Sequence, residues 1–275
     1  MVTKEKKPRR KRLRKVNLSK LTGISFLPSV FTLFNLFLGF AALKSIITHN
    51  FTNAAYLITI SVVMDGFDGT VARLTKTESD FGMQLDSLVD SISFGLVPAF
   101  LIYLWGFGNP VSQKLLGLNY DKLGIVVGFI YVSAGVIRLA RFNVYKNAGA
   151  SPSNIFIGLP IPGAALSILS VVIFMDKYIP NRPDLFYPIF ALYSLIVSYL
   201  MISTVKYRTL KKIDAKHSHK ALFIIASIIA MAILFPKETI PLITSLYLIS
   251  PALFAIFSKK KKGDSDTESD EIEVK

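Results

Sequence analysis

The sequence predicts an all-α, polytopic integral membrane protein with about eight transmembrane helices. Hydrophobic residues make up 52% of the 275 residues, and they stand in long blocks instead of short amphipathic stripes. Each block has roughly 20 residues, the length that a helix needs to cross about 30 Å of hydrocarbon. The blocks lie at 25–48, 53–73, 82–105, 122–142, 158–178, 184–204, 219–235 and 239–258.

Lysine and arginine are concentrated in alternate loops. They crowd into the N-terminal KEKKPRRKRLRK and into RLTK, RLARFNVYK, KYRTLKK and SKKKK, which follow the second, fourth, sixth and eighth blocks. Cytoplasmic loops of membrane proteins are enriched in these residues. We therefore expect a cell-membrane protein whose termini and active site face the cytoplasm. The basic leader could also bind nucleic-acid phosphates, but attraction to anionic lipid explains the same residues, and we expect no nucleic-acid partner.

The second predicted helix carries charged residues that a lipid-facing helix does not tolerate. Ionised carboxylates inside a membrane are costly and usually mark functional sites. At about 100° per residue, one face presents two carboxylates, two very small residues and a guanidinium: Asp65, Asp68, Gly69, Ala72 and Arg73. The small residues leave room for a bulky ligand, and the guanidinium can bind a phosphate through two hydrogen bonds.

The third predicted helix continues this pattern, because Gly82, Asp86 and Asp90 recur every fourth residue and form one stripe. The short loop LTKTESDF makes the two helices an antiparallel hairpin, with Asp65 level with Asp90 and Asp68 level with Asp86. Four carboxylates at one depth cannot all stay ionised unless cations lie among them. Carboxylate oxygens suit hard divalent cations such as Mg²⁺ or Mn²⁺. The hairpin therefore predicts a metal–diphosphate site near the membrane surface.

Two other interpretations of these aspartates remain open. The aspartates could cap helices or pair with Arg73, with the glycines serving close helix packing. A membrane carrier coupled to protons or cations, which is a different class of protein, also places carboxylates along its path. The first interpretation could explain one or two of these positions but not all eight together. The second does not account for Arg73 and the glycines on the same face as the carboxylates, or for a site so near one membrane surface.

The eight positions follow the signature D-x-x-D-G-x-x-A-R-x8-G-x3-D-x3-D, in which the chain resembles the CDP-alcohol phosphotransferases. The resemblance implies a membrane enzyme that displaces CMP from a CDP-linked alcohol with a divalent metal, usually as a homodimer. It also implies that Asp65, Asp68 and Asp86 are metal ligands. The same resemblance makes Asp90 a general base that also has a metal role.

Three further stretches resemble one branch of this family, the phosphatidylserine synthases, which use CDP-diacylglycerol and L-serine. The stretches are PSVFTLFNLFLGF at 28–40, RLARFNV at 138–144 and FIGLPIPGAA at 156–165. The implied reaction transfers a phosphatidyl group to serine and releases CMP. A sibling enzyme with glycerol phosphate or an inositol phosphate as acceptor is the alternative.

These stretches contain four more candidate site residues. Thr32 and Asn35 suit either contact with the cytidine or hydrogen bonds between helices. Arg138 and Arg141 share one face of the fourth predicted helix, where they suit a serine carboxylate, a phosphate or lipid headgroups. Gly69, Ala72, Arg73 and Gly82 are expected to surround the diphosphate.

With the resemblance, the chain divides into four parts. They are a basic cytoplasmic leader at 1–20, a CDP-alcohol phosphotransferase membrane domain at 21–205, two additional transmembrane helices with a basic connecting loop at 206–258, and a charged tail at 259–275. The tail lacks apolar periodicity, so we expect it to be disordered. The chain has no cysteine, which excludes disulfides and thiolate chemistry.

Overall fold

The computed structural model describes residues 26–75, 80–108, 114–115, 118–147, 155–208, 227, 230–232 and 234–251. Its helices are α1 (Phe26–Ile47), α2 (Phe51–Thr75), α3 (Asp80–Asp90), α4 (Val97–Leu101), α5 (Tyr120–Asn147), α6 (Ile161–Tyr178), α7 (Phe186–Ile202) and α8 (236–251). Two π-helical stretches, Ser91–Leu96 and Ile102–Phe107, join and extend α3 and α4 into one rod.

Four of these helical segments are long and apolar enough to cross a membrane: Val30–Ile47, Phe81–Phe107, Tyr120–Tyr145 and Ile161–Tyr178. Two shorter apolar segments, Phe51–Phe67 and Phe186–Ile202, lie among them. The prediction of a helical, polytopic membrane protein is therefore confirmed. Each of the first six predicted blocks coincides with a helical segment. Helix α8 begins shortly before the eighth predicted block and overlaps most of it. Most of the seventh block lies outside the described residues.

Two short antiparallel strand pairs were not predicted. Strand β1 (Lys114–Leu115) pairs with β2 (Leu118–Asn119), and β3 (Ile155–Ile157) pairs with β4 (Lys206–Arg208). The second pair joins the segment before α6 to the segment after α7. Each strand has only two or three residues, too few for the alternating pattern that identifies a strand in sequence.

Small side chains lie at close contacts between the helices, and many large apolar side chains point outward. Ala54 and Ala55 are fully buried at the start of α2, where they allow close helix packing. By contrast, Phe40, Phe129 and Tyr199 are exposed by 68%, 68% and 71%. Large apolar side chains that point outward from long helices are the surface expected against lipid tails.

The rod formed by α3 and α4 contains a proline whose cost is offset by a neighbouring helix. Pro98 has no N–H to donate to the preceding turn. The hydroxyl of Tyr131 on α5 donates instead to the carbonyl oxygen of Phe94, at 3.2 Å. Tyr131 is fully buried, so this bond replaces a backbone contact where no water is available.

At the end of the bundle opposite the aspartates, a polar cluster ties together α2, the rod and α6. The carboxylate of Asp176 accepts hydrogen bonds from Thr52 Oγ1 at 2.8 Å and from Trp105 Nε1 at 2.9 Å. Arg182 lies 3.5 Å from the same carboxylate, and its guanidinium stacks 3.9 Å from the Trp105 ring. Lys177 and Glu238 pair nearby and attach α8 to α6. This end of the bundle is fixed by contacts between distant segments.

Candidate metal and substrate site

Three of the four predicted aspartates converge. Carboxylate oxygens of Asp65 on α2 and of Asp86 and Asp90 on α3 all lie within 4.8 Å of one another. Asp86 and Asp90 are four residues apart and so project from the same face of α3. Asp65 meets them because α2 and α3 run antiparallel on either side of a short loop. Asp90 is the most enclosed of the three, with 8% exposure.

The structure does not describe the side chains of several predicted site residues. The backbone of α2 includes the positions of Asp68, Gly69, Ala72 and Arg73, but their side chains lie outside the described residues. Gly82 lies in the first turn of α3, one turn before Asp86. The proposed roles of these residues therefore stay predictions.

The carboxylate cluster fits a hard divalent cation. Its ligand atoms are all carboxylate oxygens, the type that such cations prefer. The Oδ1 atom of Asp90 is buried and has no hydrogen-bond partner among the described residues. A buried acceptor without a partner is costly, and the close approach of three carboxylates adds repulsion. A bound cation offsets both costs, so the residues present suit the metal that the sequence predicts.

Beneath the carboxylates, three helices contribute a polar floor made of Asn35, Ser61 and Ser93. The Ser61 hydroxyl donates to the side-chain oxygen of Asn35, and the Ser93 hydroxyl donates to the Asn35 backbone carbonyl at 3.4 Å. All three residues are fully buried. The amide nitrogen of Asn35 has no hydrogen-bond partner among the described residues, so both of its N–H donors remain for a ligand or water.

The polar floor contains one predicted site residue, Asn35, and two residues that were not predicted. Thr32 lies one turn before Asn35 on α1 and is also buried, with 5% exposure. Ser61 and Ser93 were not among the site residues predicted from the sequence. A spacing signal existed for Ser61, because it lies four residues before Asp65 and therefore on the same face of α2. Serine is common between membrane helices, so that spacing alone did not mark a site.

Arg138 lies beside the carboxylates. Two hydrogen bonds between α5 and the rod show how deep Arg138 lies in the bundle. They join Ser87 to Asn143 at 2.9 Å and Phe94 to Tyr131 at 3.2 Å. Because α5 runs antiparallel to the rod, residues between these contacts pair in opposite order, which places Arg138 level with Asp90. Arg138 is 7% exposed, and its guanidinium lies within electrostatic range of Asp90 and Asp65. It is a buried cation at the edge of an anionic cluster whose most enclosed member is Asp90.

Arg141 has a different environment, although it lies on the same face of α5. Its guanidinium donates to the backbone carbonyls of Ile202 at 2.7 Å and Ile157 at 3.1 Å, with longer bonds to Met201 and Ser203. These contacts hold the end of α7 and strand β3 against α5. The structure thus separates two arginines that the sequence treated as a pair. An anion-binding role for Arg141 stays a prediction without a contact that supports it.

Comparison with known proteins agrees with this geometry. The sequence profile of the CDP-alcohol phosphatidyltransferase family matches residues 25–200. The CDP-diacylglycerol–serine O-phosphatidyltransferase of Helicobacter pylori is 33% identical over 224 residues, which cover 81% of this chain and 87% of that protein. The Bacillus subtilis protein of the same name is 31% identical over 70% of this chain and 96% of its own length. The Methanocaldococcus jannaschii protein, also of that name, is 35% identical over 56% of this chain and 63% of its own length.

The family match covers α1 to α7, including all three converging aspartates, and it leaves α8 outside. The matched region is more than half of the chain, and the match spans the hairpin that holds the carboxylates. Site geometry and similarity therefore point to the same chemistry. The chain belongs to the CDP-alcohol phosphatidyltransferase family.

Proposed function

We propose that this enzyme transfers a phosphatidyl group from CDP-diacylglycerol to L-serine, forming phosphatidylserine and CMP. The observation that carries the proposal is the convergence of Asp65, Asp86 and Asp90 inside a membrane bundle whose family acts on CDP-alcohols. The serine acceptor is supported by the names of relatives that share about a third of their residues with this chain. It is also supported by the buried Arg138, since serine brings a carboxylate.

The reaction is a substitution at phosphorus. The serine hydroxyl oxygen forms a bond to the phosphorus that carries the diacylglycerol, and the bond from that phosphorus to the CMP oxygen breaks. The serine hydroxyl loses its proton, and CMP leaves with the electron pair of the broken bond. The protein mainly has to position the reactants and stabilise charge in such a transfer.

The described residues can divide this work among them. Asp90 has a buried carboxylate oxygen that lacks a hydrogen-bond partner among the described residues, so it can accept the proton of the serine hydroxyl. A divalent cation, Mg²⁺ or Mn²⁺, bound by Asp65, Asp86 and Asp90 would neutralise the diphosphate and stabilise the departing CMP. In this proposal, Asp68 is a further ligand of the cation, and Arg73 contacts a phosphate of the substrate. Arg138 takes the serine carboxylate.

The orientation of the enzyme follows from the same proposal. Serine and CMP are water-soluble, whereas the acyl chains of the donor stay in the bilayer, so the site must be reached from one membrane surface. We place that surface at the cytoplasm because, in the sequence, the loops rich in lysine and arginine follow the second, fourth and sixth predicted helices, and the second helix carries Asp65 near its loop end. In this proposal, the enzyme has eight transmembrane helices and is a homodimer.

An acceptor panel tests the function directly. Purified enzyme in micelles with CDP-diacylglycerol and Mn²⁺ or Mg²⁺ is given serine, glycerol 3-phosphate or an inositol phosphate, and CMP release is measured. We expect CMP release with serine but not with either of the other two acceptors. We also expect a chelator to abolish this release reversibly. Release with glycerol 3-phosphate but not with serine would show that the acceptor is wrong while the family reaction stands. Full turnover in excess chelator would remove the metal from the proposal.

Single cysteines introduced into the cysteine-free chain test the orientation. An impermeant thiol reagent applied to intact cells should label a cysteine at 180–184, between α6 and α7, but not one at 74–80. Labelling at 74–80 from outside would reverse the proposed topology.

A further inference from the structure

One residue of α1, Asn35, forms hydrogen bonds with both of the elements that carry the converging aspartates. Its side-chain oxygen accepts a hydrogen bond from Ser61 on α2, and its backbone carbonyl accepts one from Ser93 on the rod at 3.4 Å. All three residues are 0% exposed. These bonds therefore join three helical elements inside the bundle, where water does not compete for the same groups.

The two serines lie at corresponding depths beneath the carboxylates. Ser61 stands four residues before Asp65, which places both on one face of α2, and Ser93 follows Asp90 by three residues on the rod. At about 1.5 Å per residue, each serine lies within about 6 Å of its aspartate along the helix axis. Asn35 therefore ties α2 to the rod about one turn below the carboxylates that converge.

A glycine on α1 lets the rod come close at this level. Gly39 lies one turn after Asn35 and on the same face of α1. A Cβ atom built on Gly39 would lie 2.7 Å from the hydroxyl oxygen of Ser93 and 3.3 Å from its Cα, closer than side chains normally approach. The spacing between α1 and the rod, three residues from Asp90, thus depends on the absence of a side chain at Gly39.

The spacing between α2 and the rod matters because the carboxylate cluster is tight. The ligand oxygens of Asp65, Asp86 and Asp90 lie within 4.8 Å of one another, although ionised carboxylates repel. Hydrogen bonds from both elements to a third helix oppose the separation that this repulsion favours. The N–H donors of Asn35 that lack a partner among the described residues also suit a place beneath an anionic cluster, since donors stabilise negative charge.

We propose that Asn35 is a positioning residue of the metal site, which holds α2 and the rod at the spacing that a divalent cation needs. This role differs from a contact with the cytidine, because Asn35 acts through the aspartates and not on the nucleotide. The inference rests on the metal of the proposed function, and it is independent of the acceptor alcohol.

The test measures the binding of Mn²⁺ alone to full-length, purified Asn35→Leu. Leucine has a similar size but lacks the amide, so the hydrogen bond with Ser61 is lost. Free Mn²⁺ is followed by its electron paramagnetic resonance signal during a titration without substrate. We expect the Kd for Mn²⁺ to rise about 10-fold or more, the typical effect of losing a group that orients metal ligands. CMP release should need a correspondingly higher Mn²⁺ concentration for its half-maximal rate.

The same pair of helices offers a matched control at its far end. There the side-chain amide of Asn53 on α2 donates to the hydroxyl of Ser45 on α1 at 2.9 Å. Asn53→Leu therefore removes the same kind of contact between α1 and α2, away from the carboxylates. It should leave the Kd for Mn²⁺ at the wild-type value. Thermal unfolding in excess chelator shows whether each variant is folded.

A second route to the same result leaves Asn35 in place. Gly39→Ala introduces a Cβ that must push the Ser93 hydroxyl away, so it should also raise the Kd for Mn²⁺. Gly95→Ala adds the same methyl group on the rod, where the Cβ would lie 3.6 Å from Val132, an ordinary contact distance. This control should bind Mn²⁺ as wild type does.

Two outcomes overturn the inference. One is a Kd for Mn²⁺ in Asn35→Leu that equals the wild-type value; a higher KM for CDP-diacylglycerol in that case would identify Asn35 as a contact of the donor substrate. The other is an equal rise of the Kd in Asn53→Leu, which would show a general loss of packing. Failure of the proposed metal looks different, since wild-type enzyme itself would then bind no Mn²⁺.

Discussion

Replacing Asp86 with asparagine should abolish activity and yet stabilise the metal-free protein. The three carboxylates of the cluster lie within 4.8 Å of one another. Two unit charges at that distance repel by about 3.5 kcal/mol at an effective dielectric constant near 20. Asp86→Asn removes two of the three repulsive pairs while it keeps the shape of the side chain. Protonation and hydration relieve part of the repulsion in wild type, so we expect a net gain of about 1–3 kcal/mol.

Thermal unfolding of the purified protein measures this effect with and without metal. In excess chelator, Asp86→Asn should unfold at a higher temperature than wild type. Added Mn²⁺ should stabilise wild type strongly, because a ligand that binds only the folded state raises stability, and it should stabilise the variant much less. CMP release should be lost in the variant under both conditions.

A control separates the cluster from the total charge. Asp184→Asn changes the net charge by the same amount at an exposed position between α6 and α7, far from the cluster. It should leave both the metal-free stability and the response to Mn²⁺ unchanged. The reasoning is refuted if Asp86→Asn is less stable than wild type in chelator, or if Mn²⁺ stabilises both proteins equally.

Three further substitutions test the contacts around the site. Asp176→Asn should lower the free energy of unfolding by about 1.5–3 kcal/mol, because the hydrogen bond from Trp105 Nε1 at 2.9 Å loses its charged acceptor. The variant should be inactivated faster by heat and should keep the serine KM of wild type. Tyr131→Phe leaves a carbonyl of the rod without a donor and should cost about 1–3 kcal/mol in thermal unfolding; equal stability would show that another group replaces the hydroxyl. Arg141→Lys should reduce stability more than it raises the serine KM, whereas Arg138→Lys should do the reverse; the opposite order would return Arg141 to the substrate site.

The sequence predicted most of the membrane helices because hydrocarbon thickness imposes a nearly fixed length on apolar blocks. It also predicted the hairpin, since a short loop between two such blocks leaves few alternatives to antiparallel packing. The aspartates could be identified as a group because ionised residues are costly in a membrane and their spacing placed each set on one face. These are local properties of one or two helices.

Contacts between distant segments could not be predicted in the same way. Arg138 and Arg141 have the same residue type, the same helix and the same face, yet one lies beside Asp90 and the other binds backbone carbonyls. The difference depends on where β3 and the end of α7 lie, which helical periodicity does not encode. The close approach of Tyr247 to Gly163, where a Cβ atom would lie 2.9 Å from the tyrosine ring, was hidden for the same reason, because the two residues are far apart in the chain.

The two ends of the bundle divide the work of stability and chemistry. At the far end, Asp176 and Trp105 satisfy each other across the bundle, and Arg182 stacks on the indole. At the near end, the buried oxygen of Asp90 and the amide of Asn35 lack partners among the described residues. Polar groups left unpaired in a membrane protein lower its stability, and firm contacts elsewhere must offset that loss. A variant that weakens the far end should therefore lose stability before it loses the ability to bind metal, because the converging carboxylates come from α2 and α3 at the near end.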